Sequence, residues 1–207
     1  MKNNQTDVPL SLYKARYRDL SPQEICSRTS LPFSEETQRF ALTLLGTPLS
    51  IDWPHFMLHG TKGCFDSAAT KILMIRYLLE GRDAPSTGRF LSYRELPWGP
   101  VYNENFQKRC IKRLSYAFGT KLEFFSQACL SLGGIPLNGA DAAYELPFLE
   151  TLHLRLLLWA DDEEFPPSAQ ILFSDNFVIA FSAEDIAAIG DLVIGRLQEL
   201  ATPCQKR

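Results

Sequence analysis

Hydrophobic and polar positions change rhythm several times along this chain, and each change marks an element. Over residues 37–53 the two kinds alternate. Phe40, Leu42 and Leu44 share one side, Arg39, Ala41 and Thr43 the other, and Leu49, Ile51 and Trp53 follow the Gly46-Thr47-Pro48 break. A period of two around a Gly/Pro turn predicts a β-hairpin with one half-buried face. Residues 141–148, 152–159 and 169–173 alternate or run apolar, and 177–181 follows them across Ser174-Asp175-Asn176 as a fourth expected strand. Links of only a few residues predict antiparallel pairing, because parallel neighbours need long crossovers.

Helical spacing fills the remainder. Residues 10–20 predict a first helix. Ser21 opens a second, with Pro22 at its first position and Glu24 at its third. Residues 54–65, with scattered Gly and His, read as a loop. Asp66 is the expected cap of a helix that runs to Glu80 and stops at Gly81. Its apolar residues from Ile72 to Leu79 wrap most of the circumference, so this is the expected central helix. Residues 83–88 carry turn chemistry, 89–96 predict a short strand, and Pro97-Trp98-Gly99-Pro100 a turn. Asn103 is the expected cap of a helix with Phe106, Cys110, Leu114 and Ala117 on one stripe, ended by Gly119. Thr120 is the expected cap of the next, which ends at Gly133-Gly134. Ser182 caps a closing helix with Ile186, Ile189, Val193, Leu197 and Leu200 along one side. Helices grouped before and after strands predict an α+β fold, an antiparallel sheet packed with about five or six helices. Residues 9–201 are expected to form one domain, with a frayed start (1–8) and a flexible tail (202–207).

Composition narrows the setting. In a chain of 207 residues, 45% hydrophobic content supports a substantial core without a disulfide framework. A net charge of −3 and a pI near 5.7 remove a global electrostatic case for nucleic acid or an anionic membrane. No apolar run reaches signal-peptide or bilayer-spanning length. The five cysteines form no CxxC pair and are odd in number, which predicts free thiols and a cytoplasmic address.

Several clusters invite a chemical reading. His55, His59 and Cys64 are the nearest approach to a metal set, but Gly60, Gly63 and Pro54 spoil the helix that would align them, so no metal is expected there. His153 falls on the half-exposed side of a strand, with no nucleophile motif beside it. Lys108, Arg109, Lys112 and Arg113 read as a solvated helix face, so nucleic acid is not an expected partner. Two stretches stand apart. Residues 89–102 join Arg89 and Arg94 to Tyr93, Trp98 and Tyr102 around Gly and Pro turns, a composition that suits either a ligand pocket or a packed edge strand. Asp161-Asp162-Glu163-Glu164-Phe165-Pro166-Pro167 sets four carboxylates on a stiff loop after an apolar strand. Such a loop suits solvent, a hard cation or an acid–base pair. Opposite charge predicts that Asp162, Glu163 or Glu164, beside Phe165, pairs with Arg89 or Arg94.

The segments PSTGRFLSYRELPWG, LGGIPLNGADAAYELPFL and LLLWADDEEFPPSAQILF, followed by SAEDIAAIGDLVI, resemble the prokaryotic domain of unknown function 3786. The resemblance covers roughly residues 10–197 and is most specific in the last third. It implies an anaerobe-associated family in which some members join this domain to a four-cysteine iron–sulfur domain resembling that of corrinoid iron–sulfur proteins. This chain has no four-cysteine array, so no iron–sulfur cluster is expected in it. The leading expectation is a non-enzymatic cytosolic binding or accessory protein linked to corrinoid, metallocofactor or low-potential redox metabolism, with a small molecule or a redox or corrinoid protein as its partner and no catalytic residue assigned. A small enzyme using the acidic loop and an interaction scaffold are the alternatives.

Overall fold

The computed structural model describes residues 7–202, with side chains from Leu10 onward. Most of the expected frayed start, and all of the expected tail but Thr202, lie outside the described residues. Helices α1 (Asp7–Asp19) and α2 (Pro22–Thr29) lead in, and the Ser21 hydroxyl accepts a hydrogen bond from the Glu24 amide at 3.2 Å. Nine antiparallel strands follow in one sheet: β1 (Phe33–Ser34), β2 (Arg39–Leu44), β3 (Thr47–Asp52), β4 (Leu58–His59), β5 (Phe90–Ser92), β6 (Ile135–Pro136), β7 (Ala142–Leu149), β8 (Leu152–Trp159) and β9 (Ser168–Ser174). The path is β4-β3-β2-β7-β8-β9-β5, with β1 added on β2 and β6 on β7. The fold is α+β.

Alternation sets the layers. Along β8, Leu152, Leu154, Leu156 and Leu158 are buried while His153, Arg155, Leu157 and Trp159 are half-exposed, so one face of the sheet carries the main core and the other meets solvent. The β2–β3 hairpin joins this ladder at one end, through Leu44 opposite Leu149, the Leu45 amide on the Phe148 carbonyl at 2.8 Å and the Thr43 amide on the Glu150 carboxylate at 3.2 Å.

The helices are α3 (Ala68–Glu80), α4 (Gly99–Phe106), α5 (Lys112–Phe118), α6 (Leu122–Ser131), α7 (Phe177–Ala180) and α8 (Ala183–Ala201). Between α4 and α5, Gln107–Ile111 forms a π turn, so residues 99–118 run as one bent rod. α8 touches α3, α4, α5 and α6 and is the hub. α3, although buried on most of its surface, packs to one side between α1 and α8.

Several expected boundaries move, each for a local reason. The cap of α3 is Ser67, whose hydroxyl takes the Thr70 amide at 3.1 Å; Asp66 instead ends a 3-10 turn over Gly63–Asp66 and pairs with Lys71 at 2.7 Å. The expected strand 89–96 stops at Ser92, where a 3-10 turn (Tyr93–Glu95) begins. α4 starts at Gly99, so Asn103 lies inside the helix and caps nothing. Lys121, not Thr120, precedes α6. Residues 177–180 are helical because Phe177, Ala180 and Phe181, at i, i+3 and i+4, are buried while Val178 and Ile179 are exposed. A five-residue apolar run shows no period, so the tertiary environment chose.

Candidate functional site

The site is built by the tight reversal over residues 92–99. In the 3-10 turn the Glu95 carboxylate accepts both the Ser92 amide and the Ser92 hydroxyl at 2.8 Å. Those bonds hold its carboxyl below the usual carboxylate range. The turn closes so firmly that a Cβ on Gly99 would lie 1.9 Å from the Tyr93 carbonyl oxygen. Trp98 is forced into the left-handed region at φ +63°, and the residue is 77% exposed. A bulky residue with positive φ is backbone strain held by its surroundings.

Closure lays residues 92–94 against α4 and the first half of β9, leaving a cleft of about 310 Å³. Ser92, Arg94, Asn103, Gln107 and Gln170 supply its polar lining, and Phe106, Ile111 and Ile171 its apolar floor. Tyr93 contributes from within. It is buried, its ring stacks on Phe106 at 4.1 Å and 5°, and its hydroxyl donates to the Ala183 carbonyl at 2.8 Å. Burial pushes its phenol up to about 12, so Tyr93 stays neutral and anchors the floor. In the π turn the Lys112 amide bonds back to the Gln107 carbonyl, five residues away. Gln107 and Ile111 belong to the cleft. Cys110 lies on Gly190 of α8, where a Cβ would come within 2.8 Å of its sulfur.

One atom in this wall is out of balance. The Asn103 side-chain oxygen is shielded from solvent and has no hydrogen-bond partner. A buried acceptor left so costs about 1–3 kcal/mol. No ion pair or side-chain hydrogen bond to a described residue engages Arg94, Gln107 or Gln170, and no carboxylate lines the cleft.

Of the residues singled out from sequence, Tyr93 and Arg94 line this cleft, while Arg89, Trp98 and Tyr102 lie on its flank in the chain. Arg89 faces Glu95 at 3.8 Å. Trp98, Val101 and Tyr102 leave an exposed apolar patch at the start of α4. The acidic loop does not join them. Asp162 accepts the amides of Glu164 and Phe165 at 2.9 and 2.6 Å, so its charge organises its own turn. Glu163, Glu164 and Phe165 are exposed, and none of the loop acids pairs with Arg89 or Arg94 among the described residues. The expected pairing fails because each partner is satisfied locally or points to water. Pro167 instead pins the loop base on Gly119, where a Cβ would meet it at 2.2 Å.

The other clusters have structural partners. Asp52 joins Arg39 at 2.7 Å and His59 at 2.8 Å. Burial raises the Asp52 carboxyl, but these two partners outweigh it and hold it below the ordinary range. His153 and Arg155 share Glu145, and the Arg155 guanidinium lies 3.7 Å over the Phe90 ring. Arg109 and Arg113 both pair with Asp191, and Lys108 with Glu104. Cys26, Cys64, Cys110 and Cys129 are free thiols; Cys204 lies outside the described residues. Among the described residues no group of three or more His, Cys, Asp or Glu is placed to hold a metal ion, and no helix is long and apolar enough to cross a membrane.

Asn103, Gln107 and Gln170 were missed as site residues. Asn103 carried a readable signal: at three residues before Phe106 and seven before Cys110 it sits on the apolar stripe, where an amide must find a partner. No curated protein and no solved structure matches the chain. A family model described as a domain of unknown function (DUF3786) matches residues 21–196, and the chain belongs to that family.

Proposed function

We propose that this protein binds a small polar molecule in the cleft between the 92–94 turn, α4 with its π turn, and β9. The observation that carries the reading is the buried, unpaired oxygen of Asn103 in the cleft wall. Ligand recognition supplies a reason for keeping such an atom, since a turn of the Asn103 amide toward a bound donor recovers the lost hydrogen bond. Strain at Trp98 and the π turn flank the same cleft, and both are departures that concentrate at functional sites. Acid–base catalysis by the acidic loop is the weaker reading, because Asp162 is engaged with its own backbone and the loop acids do not line the cleft. A redox or corrinoid protein as the partner served by the ligand follows from the family resemblance alone.

Asn103→Leu tests the reading, being close in volume and lacking the amide. The variant should melt higher than the parent, by the equivalent of about 1 kcal/mol, because it removes an unsatisfied acceptor and improves helix propensity. Native mass spectrometry of protein taken from its own cells should show a retained small molecule on the parent and none on the variant. A variant that melts lower and keeps the same retained mass removes the site.

A further inference from the structure

Resting on that reading, we propose that the ligand is a small anionic polyol, a sugar acid or sugar phosphate, with its anionic group at Arg94 and its hydroxyls on Asn103, Gln107 and Gln170. Charge comes first. Arg94 is the one charged group of the lining, since the buried Tyr93 phenol stays neutral, and it has no ion-pair partner among the described residues. Glu95 beside it is committed to Ser92 and Arg89. The cleft therefore carries one uncompensated positive charge, which a monoanion neutralises and a cation opposes.

The neutral positions decide what bears that charge. Three carboxamides from two elements face one space. A carboxamide offers a donor and an acceptor side by side, and a hydroxyl both donates and accepts, so adjacent hydroxyls match an amide edge where a bare hydrocarbon acid cannot. The unpaired Asn103 oxygen, which has no exposed surface of its own, takes a donor once its side chain turns into the cleft, and a hydroxyl supplies one where a carboxylate or phosphate oxygen does not. Phe106, Ile111 and Ile171 give the floor on which the C–H face of a sugar packs. A volume of about 310 Å³ suits one such unit.

Calorimetry with gluconate, glucose 6-phosphate, glucose and acetate tests the assignment on the full chain. At least one of the two anionic sugars should bind about ten-fold or more tighter than glucose and than acetate, the scale of one charge-assisted hydrogen bond. Tighter gluconate marks a carboxylate at Arg94, and tighter glucose 6-phosphate a phosphate. Arg94→Gln should abolish the advantage over glucose, and Asn103→Leu should weaken the anionic sugars while acetate stays unchanged. No binding of either anionic sugar at about millimolar concentration overturns the ligand class. If the parent nonetheless retains a neutral or cationic molecule that Asn103→Leu loses, the cleft reading survives and only the class fails. If nothing is retained and no probe binds, both fall.

Discussion

The β7–β8–β9 ladder and the segment from β5 through the π turn meet along β9, and they treat their polar atoms differently. In the ladder, register is continuous over most of its length and along β8 every second side chain enters the core. Where a polar residue is buried there, it is bonded. Ser174 donates to Asn176 at 2.6 Å, and the Asn176 amide donates to the carbonyls of Ala84 and Thr151. In the neighbouring segment the strand lasts three residues, a tryptophan adopts positive φ, a helix gains a π turn, and an asparagine oxygen is buried without a partner. Two asparagines, one saturated and one not, separate scaffold from site. Regular ladders satisfy polar groups automatically, whereas an irregular segment must be held by its surroundings and can leave them open for something else.

The largest expected effect breaks the scaffold side. Phe148 is fully buried, with its ring beside Phe177 and Phe181. Phe148→Ala should cost about 3–5 kcal/mol in denaturant unfolding through the lost contacts and the cavity. A loss under about 1 kcal/mol would mean that the core collapses into the gap and the ladder is softer than its register implies.

Gly99→Ala sharpens the comparison from the other side. Its Cβ would sit 1.9 Å from a backbone oxygen, which cannot rotate away. The expected cost is about 1–3 kcal/mol, with weaker ligand retention than the stability loss alone explains. An unchanged melting temperature would show that the 93–99 reversal is pliable and that the cleft is not built in advance.

The smallest effect is expected at the acidic loop. Asp162→Asn with Glu163→Gln should shift stability by about 0.5 kcal/mol or less in a thermal melt, because Asn keeps the turn bonds and Glu163 is exposed. A loss near 3 kcal/mol would reveal a buried partner for these charges and restore the pairing that opposite charge suggested.

Periodicity, link length and element order, all local features of the chain, determined the fold class, the antiparallel ladder, the buried face of β8 and the closing helix with its Ser182 cap. Composition, the joining of cations to aromatics around Gly and Pro turns, marked Tyr93 and Arg94. Tertiary structure decided the rest. Whether Phe177–Phe181 coils or extends depended on which side met Phe148, a residue some thirty positions earlier. Whether the acidic loop reached Arg94 depended on each group finding bonds closer to home, a competition that charge sign does not reveal. Asn103, Gln107 and Gln170 became one site only because the 93–99 reversal and the π turn brought α4 over β9. That approach is set by the Tyr93 carbonyl packed on Gly99 within the reversal and by the Cys110 sulfur packed on Gly190, the latter a contact between residues too far apart in sequence for any local pattern to encode.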